Sequence, residues 1–98
     1  MAVAIIGDFT GGTLEQYDQI LAKMNLTSGE QAPPGALFHW AAATESGIRF
    51  TDVWQTREQF DAFAQSQIGP FAAEVGLTEP PELTYYELHS YLTQGPNA

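Results

Sequence analysis

LFHWAAATESGIRFTDVWQTREQFDAF, residues 37–63, decides the fold. Ala36 to about Ala43 reads as a strand, and Thr44-Glu45-Ser46-Gly47 as a tight turn. Ile48 to about Gln55 is the returning strand, and Thr56 with Gln59 has the spacing of a capping box. The stretch is therefore a hairpin that runs directly into a helix. The helix buries Phe60, Phe63, Ala64 and Phe71, and Gly69-Pro70 breaks or restarts it.

Before this stretch, Ala2 to Phe9 is rich in β-branched residues and predicts a first strand. Thr10-Gly11-Gly12 turns the chain, and Thr13 with Gln16 caps a helix. Its apolar stripe is Leu14, Tyr17, Leu21 and Met24, widened by Ile20. Asn25, Thr27-Ser28-Gly29 and Pro33-Pro34-Gly35 end it. After the hairpin and second helix, Gly76 is a stop, Glu79-Pro80-Pro81 a rigid connection, and Leu83 to Leu92 a last strand. Gly95-Pro96-Asn97-Ala98 is expected to fray.

The order β-α-β-β-α-β is a ferredoxin-like α+β fold in one domain of 98 residues, with its core over about 2–92. Right-handed crossovers give a four-stranded antiparallel sheet ordered 4-1-3-2 with both helices on one face. The other face carries Ala4, Ile6, Phe38, Trp40, Val53 and either Tyr85 or Tyr86. An apolar face of that size calls for a partner, and a two-fold homodimer is the simplest one.

Composition narrows the partners. Net charge is −9, and Lys23, Arg49 and Arg57 are the only Lys or Arg residues. Three scattered cations cannot build a phosphate-neutralising patch, so neither nucleic acid nor an anionic membrane surface is expected. The chain has no cysteine, which removes disulfides, thiolate nucleophiles and Cys-based zinc sites. The apolar run of the first strand is too short for a signal peptide or a membrane span. A cytoplasmic protein with a small apolar or aromatic ligand, or none, is the expectation. Gly11-Gly12 lacks the spacing and lysine of a phosphate loop, and no serine sits in a nucleophile elbow.

Gly47-Ile48-Arg49-Phe50-Thr51-Asp52-Val53-Trp54, followed by Gln55-Thr56-Arg57-Glu58-Gln59-Phe60, resembles the dimeric α+β-barrel superfamily. The resemblance is nearest to its antibiotic-biosynthesis-monooxygenase-like proteins. It covers roughly Ala2 to Leu92 and is carried by a tryptophan ending strand three, a small hydroxyl residue and a helix with an aromatic. It implies a dimer of two sheets packed face to face as a barrel, with a pocket in each subunit between sheet and helices. It also implies oxygen chemistry on polycyclic aromatic substrates without metal or flavin. The haem-degrading branch uses a strand-one asparagine and a helix-two histidine besides the tryptophan. Only Trp54 is present here, so no haem is expected, and no other cofactor either.

The candidate site is His39 with Asp52. If the hairpin loop is even-numbered, paired residue numbers sum to 91 or 93. The first register sets His39 opposite Asp52, and the second sets it opposite Trp54; either way all three share one face with Leu37, Ala41, Ile48 and Phe50. A three-residue loop would separate them. Asp52 would orient His39 as a general base for a phenol or an acidic C–H, or the two form a buried polar pair that fixes register. Trp54, Tyr17, Phe50, Phe60 and Phe63 would line an aromatic pocket, or are core. His89, alternating with Glu87 and Tyr91 on strand four, lies on the opposite sheet edge from His39. The two edges are about 14 Å apart at about 4.8 Å per strand, too far for a shared metal. Three readings follow: a cofactor-independent monooxygenase, a non-catalytic dimeric ligand-binding or interaction module, and a cofactor-free cyclase or isomerase using the same His–Asp pair.

Overall fold

Thr44 and Gly47 close the hairpin, the Thr44 N–H donating to the Gly47 carbonyl at 2.8 Å and the Gly47 N–H to Thr44 Oγ1 at 3.1 Å. The structure, a computed structural model, describes residues 2–26 and 32–92. Only Glu45 and Ser46 are left in the loop, so β2 (Ala36–Ala43) and β3 (Gly47–Trp54) pair with residue numbers summing to 91. His39 faces Asp52 and Trp40 faces Thr51. The turn is tied to the first strand as well, by the Gly11 N–H to the Ser46 carbonyl at 2.7 Å. A Cβ on Gly47 would come within 2.0 Å of the Phe9 carbonyl oxygen, so this crossing needs a glycine.

β1 (Val3–Thr10) pairs antiparallel with β3 on one side and β4 (Glu82–Glu87) on the other. The sheet order β2-β3-β1-β4 is the expected one, read from the opposite edge. Two details of the strands differ from expectation. The β2–β3 register shifts between Ala36 and Phe38, leaving Leu37 unpaired and 38% exposed rather than seated beside His39. β4 ends at Glu87, because its ladder runs out where β1 starts; one further bond joins the Leu88 N–H to the Ala2 carbonyl at 3.0 Å. His89 and Tyr91 therefore lie past the strand, not on it.

α1 (Leu14–Met24) starts with the complete Thr13–Gln16 capping box and ends on Asn25 in the left-handed conformation. Its buried residue is Ile20, flanked by Tyr17 and Met24, whereas Leu14 stays 48% exposed. The buried arc is turned away from Leu14 because α1 also leans on the far end of the second helical segment. There Gln16 Nε2 donates to the Val75 carbonyl at 2.9 Å and Lys23 pairs with Glu74 at 3.7 Å. The Thr27-Ser28-Gly29 stop and the tail from Gly95 lie outside the described residues.

The second helix restarts at Gly69-Pro70, one of the two expected outcomes, without a gap in the helical chain. α2 (Arg57–Phe63) widens into a π-helical turn (Ala64–Ile68) and restarts as α3 (Gly69–Glu74). Proline cannot donate to the ladder and its ring crowds the preceding turn. The widened turn absorbs both, with the Gly69 N–H reaching back to the Ala64 carbonyl and Pro70 falling in the first turn of α3. At the other end Thr56 Oγ1 accepts from the Gln59 N–H at 3.2 Å, but Gln59 Oε1 takes the Thr56 hydroxyl instead of its backbone.

Between sheet and helices lies one core of Val3, Ile5, Phe9, Ile20, Ile48, Phe50, Trp54, Phe60 and Ala72. The Phe50 ring lies so close over Gly7 that a Cβ there would sit 2.2 Å from Phe50 Cζ. On the opposite sheet face Phe38, Trp40 and Tyr86 are exposed, Val53 is shielded, and Arg49 forks onto Asp8 at 2.8 and 3.1 Å. Tyr86 rather than Tyr85 belongs to this face: Tyr86 pairs with Ala4, while Tyr85 packs toward Phe60.

Candidate functional site

The hairpin register delivers His39 from the edge strand to Asp52 on its neighbour, and strand alternation places Trp54 two residues on, on the same face. Asp52 is buried at 5% exposure, and both of its oxygens are used. Oδ1 bonds to His39 Nδ1, and Oδ2 accepts from Trp54 Nε1–H at 3.0 Å. A carboxylate in an apolar interior is costly unless donors surround it, and this one has two.

A third element completes the arrangement. Tyr17 of α1 brings its hydroxyl 2.6 Å from His39 Nε2. Because an ionised carboxylate only accepts, a neutral His39 would carry its proton on Nδ1, leaving Nε2 to accept from the Tyr17 hydroxyl. Burial is the main cause that lifts the Tyr17 phenol above its ordinary value, and the negative charges of Asp52 and Asp18 push the same way. The phenol is thus a neutral donor at physiological pH. The result is one hydrogen-bonded chain: Tyr17 to His39 to Asp52, with Trp54 anchoring the carboxylate from behind.

The chain is graded in exposure. Trp54 and Asp52 lie in the interior, whereas the His39 side chain is 42% exposed and Tyr17 is half-buried. Solvent or a ligand therefore meets it at the Tyr17–His39 end. Of the other aromatic candidates, Phe50 and Phe60 are core residues at 5% and 1% exposure, and Phe63 is half-buried with its ring 5.3 Å from Trp54. Trp54 and Phe60 meet edge to face at 5.8 Å. A cleft of about 420 Å³ opens elsewhere, lined by Val3, Thr56, Arg57, Glu58, Tyr85 and Glu87. The Arg57 guanidinium lies 3.7 Å over the Tyr85 ring there, and Tyr85 donates to Asp61 at 3.1 Å.

Among the described residues no three His, Asp or Glu side chains gather closely enough to hold a metal ion. His39 stands on the edge strand β2, and β4 is the opposite edge; His89 is exposed beyond the end of β4. No helix among the described residues is long and apolar enough to cross a membrane. Two bonds of the site were not read from the sequence: Tyr17 to His39, and Trp54 to Asp52. The second had a signal in the two-residue spacing of a carboxylate and an indole on one strand.

No protein-family model matches the sequence, and no curated protein does. Solved structures do match. SnoaB, a cofactor-independent oxygenase from Streptomyces nogalater, is 19% identical, with a TM-score of 0.63 over 93% of this chain and 96% of its own. Rv0793 from Mycobacterium tuberculosis is also 19% identical, with a TM-score of 0.65 over 95% and 100%. A candidate antibiotic biosynthesis monooxygenase from Deinococcus radiodurans is 12% identical, with a TM-score of 0.61 over 95% and 97%. At such identities the likeness is one of architecture, and it spans nearly the whole of each chain. The chain shares the ferredoxin-like α+β fold of these solved structures, a four-stranded antiparallel sheet ordered β2-β3-β1-β4.

Proposed function

We propose that this protein is a cofactor-independent monooxygenase acting on a flat aromatic, polyketide-like substrate, with His39 as the base and Asp52 as its orienter. The observation that carries the proposal is the Tyr17–His39–Asp52–Trp54 chain, which keeps an imidazole in one tautomer at the open end of a buried carboxylate. Proton removal is the step such chemistry needs from the protein. An anthrone-type C–H or a phenol, once deprotonated, hands an electron to oxygen directly; for a CH2 group the products are a carbonyl and water. An imidazole backed by a carboxylate suits that transfer. Tyr17 and Phe63 would meet the ligand, with Trp54, Phe50 and Phe60 as the rigid backing of its wall. That the matching SnoaB structure is a cofactor-independent oxygenase agrees with this reading.

The protein would work as a cytoplasmic homodimer, its partner a second copy laid over Phe38, Trp40 and Tyr86, which are 43%, 43% and 56% exposed. A non-catalytic ligand-binding module is the second reading. It is favoured by the tight core packing of Phe50, Trp54 and Phe60. A cyclase or isomerase would use the same pair without oxygen.

Oxygen uptake with an anthrone substrate, compared between the wild type and His39→Ala, tests the proposal. Removing a general base lowers turnover by about a hundredfold or more. Turnover unchanged in His39→Ala would rule out the base, and no uptake with bound anthrone would favour the binding module.

A further inference from the structure

We infer that Tyr17 is the group that meets the substrate proton, and that His39 receives it through the Tyr17 hydroxyl; the inference rests on the base chemistry proposed above. Both ring nitrogens of His39 are already engaged within the protein. Nδ1 bonds to Asp52, and Nε2 is 2.6 Å from the Tyr17 oxygen. A base with no free nitrogen acts either by expelling its partner or by working through it. The partner here is held in place: Tyr17 sits in the buried arc of α1 beside Ile20 and Met24, and α1 is fixed at both ends by its caps and by Gln16 on the Val75 carbonyl. Its ring lies nearly parallel to the imidazole, at 9°, with centroids 6.0 Å apart, so the two groups approach edge to edge through the hydrogen bond.

The transfer balances without a further reactant. The substrate O–H or C–H gives its proton to Tyr17 Oη while the Tyr17 proton moves to His39 Nε2. The products are a substrate anion, a neutral tyrosine and an imidazolium. The Asp52 carboxylate, kept in place by Trp54 Nε1–H, faces that imidazolium across Nδ1. Such a site favours substrates that offer an acidic hydroxyl, or an enolisable C–H beside a carbonyl, to the phenol oxygen. Tyr17 is then a proton-transfer residue as well as a pocket wall.

Two measurements on the full-length protein decide the inference. The first is ¹⁵N NMR of the His39 ring at neutral pH, with an expected Nδ1–H tautomer and an Nε2 resonance that moves in Tyr17→Phe. The second is anaerobic exchange of the acidic anthrone protons into deuterated water, which follows deprotonation alone. The wild type should accelerate exchange, and Tyr17→Phe should lose the acceleration about as fully as His39→Ala, by about a hundredfold. If Tyr17 merely plugs the imidazole, its removal frees Nε2, and exchange in Tyr17→Phe equals or exceeds that of the wild type; that result overturns the inference. So does an Nε2–H tautomer, or a wild type that leaves the exchange rate unchanged. Failure of the oxygenase reading looks different: the wild type exchanges the proton, Tyr17→Phe does not, and no oxygen is consumed.

Discussion

Replacing Asp52 by alanine should destabilise the fold as well as the site, and the size of the loss follows from what the carboxylate holds. Trp54 Nε1–H is buried with Asp52 Oδ2 as its acceptor, and Trp54 itself is 2% exposed. Leaving a buried donor without a partner costs about 1–3 kcal/mol. The void left by a carboxyl group, roughly 25 Å³ at about 24 cal/mol per Å³, adds about 0.6 kcal/mol. His39 contributes little to the loss, because its half-exposed ring can turn its N–H to water. The expected cost is about 2–4 kcal/mol, out of the roughly 5–15 kcal/mol that stabilise a domain of this kind. For this chain length that lowers the melting temperature by about 10–25 °C.

Asp52→Asn separates charge from hydrogen bonding. The amide oxygen can still accept from Trp54, and the amide N–H can donate to His39 Nδ1. That moves the imidazole proton to Nε2, where it donates to Tyr17. Trp54 Nε1–H and His39 Nδ1 both keep a partner, so the loss should be about 1 kcal/mol, the difference between charged and neutral hydrogen bonds. Equilibrium urea unfolding followed by far-ultraviolet circular dichroism measures both variants. Protein concentration must be matched, since self-association adds to apparent stability. Equal costs for alanine and asparagine, or an alanine cost below about 1 kcal/mol, would refute the account of Asp52 as a satisfied buried acceptor.

Tyr17 and Tyr85 both hold their protons above the ordinary tyrosine value, burial being the first cause in each. The folded chain keeps these protons to higher pH than the unfolded one, so the stabilisation is complete below about pH 10 and is lost as pH rises through the raised folded values. Absorbance titration at the tyrosinate band should show a late component that shrinks in Tyr17→Phe. Gly47→Ala should unfold or severely destabilise the chain, because its Cβ would strike the Phe9 carbonyl and Gly11 N at 2.0 and 2.8 Å; thermal unfolding against a Gly11→Ala control separates this clash from a loop effect. Trp40→Glu should convert a dimer to a monomer in sedimentation at micromolar concentration with the fold retained. A wild type that sediments as a monomer would remove the dimer.

Much of the architecture was legible because its signals are local. Thr13 and Thr56 announce helix starts three residues ahead of a glutamine, and the loop Glu45-Ser46 fixes the register for the whole hairpin. That register was one of two the sequence allowed, and both placed His39 and Asp52 on one face. What escaped the sequence depends on placement between distant elements. The burial of Ile20 over Leu14 is set by how α1 leans on α3, and the Tyr17–His39 bond by where α1 crosses β2. The unpaired Leu37 and the π-helical turn are backbone accommodations of a single residue each, which apolar periodicity does not register. β4 was drawn too long because Tyr91 and Leu92 look like strand residues by composition, although β1 offers no further partner there.

The sheet carries one indole on each face, and the two differ in almost every optical respect. Trp54 is shielded, bound to a carboxylate and part of the hydrogen-bonded chain, whereas Trp40 stands 43% exposed on the open side. Emission from the chain is therefore a sum of a blue, protected component and a red, accessible one. A neutral quencher such as acrylamide, which the net charge of −9 does not repel, reaches the second and spares the first. Contact across the open face would silence that quenching, while occupancy beside Tyr17 would register in the protected emission. Each face of the sheet thus reports its own occupancy from a single unlabelled chain.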